Sequence, residues 1–102
     1  MSEEVKINQS QLRLMDLIEL LAGRELHGMK LRDIASAMKI NEATSYRDLK
    51  AMEARGWAQQ RDNDTWRLGP KPIQIATHFT WGLNEGRSEI DEIQQRYTRK
   101  PN

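Results

Sequence analysis

Arg47 and Lys50 stand three residues apart, and Ala43, Thr44 and Tyr46 precede them on what helical spacing makes one outer face. A guanidinium can grip guanine O6 and N7 through two parallel hydrogen bonds, so Arg47 is the leading candidate for reading a base. Thr44 suits a phosphate or a thymine methyl, the Tyr46 hydroxyl a phosphate, and Lys50 the sugar–phosphate backbone. Arg61 and Arg67 flank an Asp62-Asn63-Asp64 tip. Phosphate repels the two carboxylates, so contact is expected from the sides of that tip or from Asn63. Lys30 and Arg32, ahead of both groups, are candidate phosphate clamps. Each residue also has a plainer reading. Arg47 can be a solvated helix charge or a partner of Asp48 or Glu53, Tyr46 can cover the edge of a core, and single surface cations are usually just solvated.

These residues need elements that hold them outward. Leu31, Ile34, Ala35 and Met38 recur at the i, i+3, i+4, i+7 spacing of an amphipathic helix. Lys39-Ile40-Asn41 breaks it, and Asn41 can cap a second helix by accepting from a free backbone N–H. That helix is expected to bury Leu49 and Met52 and to stop at Gly56. Trp57–Arg61 and Thr65–Leu68 then read as two strands joined by the Asp-Asn-Asp turn. Trp66 and Leu68 share one strand face and Arg67 points to the other. Trp57 and Trp66 sit where they would seal the hairpin onto the helices, and core packing is preferred for them over base stacking. Two tightly joined helices followed by a hairpin leave the second helix, 42–55, free to enter a major groove, with a wing over 58–68 along the backbone or minor groove. The expected partner is double-stranded DNA. The rival is a winged-helix module that docks protein without specific DNA binding.

Composition narrows the alternatives. The chain has 102 residues, 37% of them hydrophobic, which suits one small domain with an added arm. It has no Cys, and its two His, at 27 and 78, lack metal-binding spacing, so no metal or other cofactor is expected. No nucleophile–base pair or phosphate loop is visible, which argues against an enzyme. No apolar run approaches the ~20 residues that span a bilayer, the polar N-terminus is no signal peptide, and a cytoplasmic location is expected. Lys plus Arg number 16 against 15 Asp plus Glu, a net charge of +1. From Asn41 to Lys71 six basic residues face five acidic ones. Near-neutrality implies modest affinity for one copy, and hence a homodimer.

The remaining segments divide the chain into a flexible 1–9, a winged unit over 10–80 and a helical arm or tail over 81–102. Ser10 is the expected N-cap of a first helix that Gly23 closes, with a stripe of Leu14, Met15, Leu17, Ile18, Leu21 and Ala22 widened by Leu12 and Leu20. That stripe either lines a tight core or partly meets another subunit. Arg24–Lys30 reads as loop. After Gly69-Pro70, the residues Ile73, Ala76 and Phe79 continue at helical spacing toward Leu83, until Gly82, Asn84 and Gly86 interrupt them. Ser88-Glu-Ile-Asp91 resembles a capping box opening a last helix with Ile90, Ile93 and Tyr97 on one face. Phe79, Trp81 and Leu83 either close the domain's own core or form a contact for a second copy or a protein partner.

Three segments in order resemble the N-terminal DNA-binding domain of the isocitrate lyase regulator (IclR) family of bacterial transcription factors. They are RLMDLIELLA (13–22), INEATSYRDLKAMEARGW (40–57) and DTWRLGP (64–70), within a likeness from about Ser10 to Thr77. The resemblance implies a mostly α fold with a small β-hairpin, a winged helix-turn-helix followed here by a C-terminal helical extension. It also implies sequence-specific regulation of transcription. Ser45 and Asp48 stand where the family has apolar residues, and both are expected to loosen the recognition helix or change its packing angle. Lys30 replaces the usual Thr or Ser cap of the preceding helix, and Glu42 a common Lys. Only 16 residues follow Gly86, too few for the family's large effector-binding domain. The expectation is a regulator without a sensor of its own, controlled by abundance or by a partner on the C-terminal arm.

Overall fold

Asn8, not Ser10, starts the first helix. Its Oδ1 accepts from the N–H groups of Ser10 (2.8 Å) and Gln11 (3.4 Å), which places Gln9 and Ser10 inside helix α1, Gln9–Leu21. The computed structural model describes residues 4–62 and 64–98. They form α1, a two-residue strand β1 (Met29–Lys30), α2 (Leu31–Met38), α3 (Glu42–Ala54), β2 (Ala58–Gln60), β3 (Thr65–Leu68) and α4 (Lys71–Thr98). They divide into two units, one ending at Pro72 and the other beginning at Ile73.

In the first unit the three helices pack over an antiparallel sheet of order β1-β3-β2. Leu17 and Leu21 from α1, Ile34 from α2, Leu49 and Met52 from α3, Ala58 from β2 and Trp66 from β3 form the buried core. Trp66 thus lies in the core and Trp57 packs against its edge, as expected of residues that seal the hairpin, and Leu68 joins Trp57 there. The stripe on α1 is only partly consumed: Met15 stays exposed in an apolar hollow it shares with Leu14, Ile18, Ala51 and Trp57.

Strand β1 corrects the reading of 24–30 as loop. Met29 pairs with Trp66 and Lys30 with Thr65, which makes the hairpin a three-stranded sheet. Two residues are too few to show a period in sequence. Gly28 permits the approach: at φ +67 it lies against β3, where a Cβ would stand 2.8 Å from the Trp66 carbonyl oxygen. The first hairpin strand is shorter than Trp57–Arg61, because pairing is limited to Ala58↔Leu68, Gln59↔Arg67 and Gln60↔Trp66.

The turn between α2 and α3 is as tight as the sequence implies. Lys39 takes the left-handed conformation (φ 59), and its N–H and that of Ile40 both donate back to the end of α2. Asn41 Oδ1 accepts from Thr44 N–H at 2.7 Å, capping α3. Gly56, at φ +81, follows the C-cap of α3 and turns the chain into β2.

The second unit holds α4 from Ile73 onward. Gly82, Asn84 and Gly86 do not interrupt it, and Ser88 opens no separate helix, because α4 runs unbroken for 28 residues. A lone Gly costs about 1 kcal/mol in a helix interior, which lowers helix propensity without breaking the hydrogen-bond ladder. Among the described residues no helix is long and apolar enough to cross a membrane, and no cluster of His, Cys, Asp or Glu is arranged to hold a metal ion.

Candidate nucleic-acid interface

Helix α3 has two distinct faces. Ser45, Asp48, Leu49 and Met52 point inward at i, i+3, i+4, i+7, whereas Glu42, Ala43, Tyr46, Arg47 and Lys50 are exposed and Thr44 is half-buried. The residues expected to share an outer face of this helix are thus exposed, Thr44 in part. Among the described residues, Arg47 makes no hydrogen bond or ion pair. The partners considered for it are engaged elsewhere. Asp48 is held by Arg13 of α1, with Nε to Oδ2 at 2.8 Å and Nη2 to Oδ1 at 3.2 Å. Glu53 is held by Lys50, at 2.7 Å. That hydrogen bond raises the Lys50 ammonium above its ordinary pKa.

The Arg13–Asp48 pair also corrects the expectation that Asp48 loosens α3. The carboxylate lies on the inner stripe and ties α3 to α1. Arg13 was missed by sequence reasoning, although a signal was present: an acid on the buried stripe of a helix needs a cation opposite it. Tyr46 has both of its readings in view. Its ring meets the buried Trp66 edge-on, with centroids 6.3 Å apart, yet the residue is 44% exposed.

On the wing, Arg67 points away from the face that carries Trp66, as alternation requires. Arg61 and Arg67 both reach back to the segment between α1 and β1. Arg61 Nη1 donates to the Leu26 carbonyl, and Arg67 Nη1 to the Glu25 carbonyl at 3.4 Å, while Arg67 Nε donates to Gln59 Oε1 at 3.2 Å. Asn63, expected at the tip, lies outside the described residues. Arg61, Lys30 and His27 share a hollow with Leu26, Asp62 and Thr65. Lys30 occupies the N-cap position of α2 without a side-chain cap bond. Lys30 and Arg32 also border a smaller hollow of about 290 Å³, and there Glu42 and Asp64 join them. The surroundings of Lys30 and Arg32 are therefore mixed in charge, while Arg47, exposed on the outer face of α3, has no ion-pair partner among the described residues.

Three helices in this order, a capped outward helix and a three-stranded wing define a winged helix-turn-helix. No family model matches the sequence, and no curated protein does. Solved structures do. HmgR of Pseudomonas aeruginosa matches 76% of this chain at 22% identity with a TM-score of 0.63. A Silicibacter sp. TM1040 protein described as an ICLR transcriptional regulator matches 84% at 21% identity with a TM-score of 0.64. A transcriptional regulator from Oenococcus oeni matches 98% of this chain and 87% of its own, at 15% identity and a TM-score of 0.51. The matched part is 33% of HmgR and 35% of the Silicibacter protein, so the chain spans about a third of their length. At these identities the likeness is one of fold: the winged helix-turn-helix of IclR-type and related regulators.

Proposed function

We propose that this chain is a sequence-specific, double-stranded-DNA-binding transcriptional regulator, with helix 42–55 in the major groove and the wing 58–68 along the backbone or minor groove. One observation carries the reading: Arg47 stands exposed and unengaged among the described residues, while Asp48 and Glu53 are each held by another cation. The near-neutral composition is therefore no guide to the charge of the recognition face. In this reading Ala43, Thr44 and Tyr46 line the groove beside Arg47. Lys50, Lys30, Arg32, Arg61, Asn63 and Arg67 serve the backbone. The regulator acts in the cytoplasm as a homodimer on a two-fold symmetric site. A protein partner on the C-terminal arm is the proposed means of control.

Selection of bound duplexes from a random library, repeated with Arg47→Ala, tests this. The native chain should enrich a motif and lose affinity steeply as salt rises. Arg47→Ala should relax at least one base position, at a cost of ~1–3 kcal/mol or roughly 5–150-fold. An unchanged motif would remove Arg47 from base reading. No duplex binding even at low salt would favour the second reading, a protein-docking winged helix, which the acids Glu42 and Asp64 beside Lys30 and Arg32 support.

A further inference from the structure

Helix α4 carries a regular line of apolar and small residues, apart from which Ile73, Ile75 and Trp81 are exposed. Ala76, Phe79, Leu83, Gly86, Ile90, Ile93 and Tyr97 alternate at spacings of three and four through three heptads. This period of 3.5 is that of a coiled-coil seam, narrower than the stripe of a helix that packs onto a globular core. The large members are exposed, from 52% for Ile93 to 85% for Tyr97. No charge interrupts the line. Glu85, Asp91 and Glu92 fall on the outer positions, and only Arg87, Glu89 and Arg96 flank the seam, a mixture of signs that does not repel an identical helix. The hydroxyl of Thr80, another flanking residue, is turned onto its own helix, donating to the Ala76 carbonyl at 3.0 Å.

We infer that this seam pairs with the same seam of a second copy of the chain in a two-stranded coiled coil, which makes α4 the dimerisation element. The inference rests on the homodimer in the proposed function and specifies the surface that forms it. From Ala76 to Tyr97 the seam runs about 32 Å at the helical rise. Two such seams bury on the order of 1,200 Å², the lower bound of a stable specific interface. A membrane surface is a poorer occupant, because the face opposite the seam carries Glu85, Asp91 and Glu92 where an anionic bilayer needs Lys and Arg.

Sedimentation equilibrium of the full chain without DNA is the test, since it does not depend on the DNA reading. The native chain should be a dimer at micromolar concentration. Ile90→Glu, at the centre of the seam, should weaken association at least ~100-fold while slow amide exchange at Leu49 still reports a folded winged unit. Trp81→Gln removes a larger exposed side chain off the seam and should leave association within about threefold. A native monomer throughout, a dimeric Ile90→Glu, or dissociation by Trp81→Gln alone would each overturn the inference. A monomer that still binds duplex would leave the DNA reading standing, and a dimer that binds none would remove that reading alone.

Discussion

Arg13 and Asp48 join α1 to α3 by a two-point ion pair, Nε to Oδ2 at 2.8 Å and Nη2 to Oδ1 at 3.2 Å. The Asp48 side chain is 11% exposed and that of Arg13 25%, so the pair sits at the margin of the core. The fork geometry fixes the rotation of α3 about its own axis, because Asp48 cannot turn outward without giving up both of its bonds to Arg13. With Asp48 held inward, the residue before it, Arg47, is held outward. A contact remote from any ligand thus orients the candidate reading face.

Removing one partner should cost more than removing both. Arg13→Met leaves a nearly buried carboxylate unpaired and should lower the thermal midpoint by roughly 5–10 °C, and Asp48→Leu alone should also lower it. The double variant replaces the pair with apolar contact and should return to within a few degrees of the native value. A double variant as unstable as the worse single one would show that the pair is not what couples the helices.

Legibility in the sequence followed the length and regularity of each signal. The face of α2, the Asn41 cap, the span of β3 and the burial of Trp66 were readable because each rests on a local rule with several residues behind it. The N-cap at Asn8 was misplaced because Asn8 and Ser10 are both good caps and only the fold chooses between them. β1 exists only by pairing with β3, and α4 was divided because Gly lowers propensity without removing a hydrogen bond. On the candidate interface, the direction of each α3 side chain followed from helical period. The engagement of Arg61 with Leu26, of Arg67 with Glu25 and of Asp48 with Arg13 did not, because these partners are 35–42 residues apart in sequence.

Ser45 is fully buried in α3, and among the described residues its Oγ has no hydrogen-bond partner. Ser45→Ala deletes the orphan hydroxyl and raises helix propensity, so it should stabilise the winged unit by about 1 kcal/mol. Denaturant titration at constant slope measures this. A destabilised variant would mean that the hydroxyl is hydrogen-bonded in solution.

Glu25 accepts the Gly23 N–H at 2.9 Å and also its own backbone N–H, which together hold its carboxyl below the usual pKa. A depressed folded-state pKa gives stabilisation that is full above the unfolded value, roughly pH 4.3, and fades as pH falls through the folded one. The thermal midpoints of the native chain and Glu25→Gln should therefore differ by a constant amount above about pH 5.5 and converge in stronger acid. A gap that persists unchanged to the lowest pH at which the chain stays folded would assign the effect to something other than this charge.

Arg61 and Arg67 each hold a carbonyl of the segment between α1 and β1 and also flank the wing, so the two roles should separate experimentally. As structural ties they hold Glu25 and Leu26 against the sheet, and Arg67→Ala should speed hydrogen exchange at Leu26–Gly28 with Ile34 and Leu49 unaffected. As phosphate contacts they should add to the salt dependence of duplex binding, and each substitution should reduce that slope by about one without changing sequence preference. Faster exchange with an unchanged salt slope would make both arginines braces for the loop and leave the backbone contacts to Lys30, Arg32 and Lys50. A reduced slope with unchanged exchange would mean that the guanidinium groups leave their carbonyls to meet DNA.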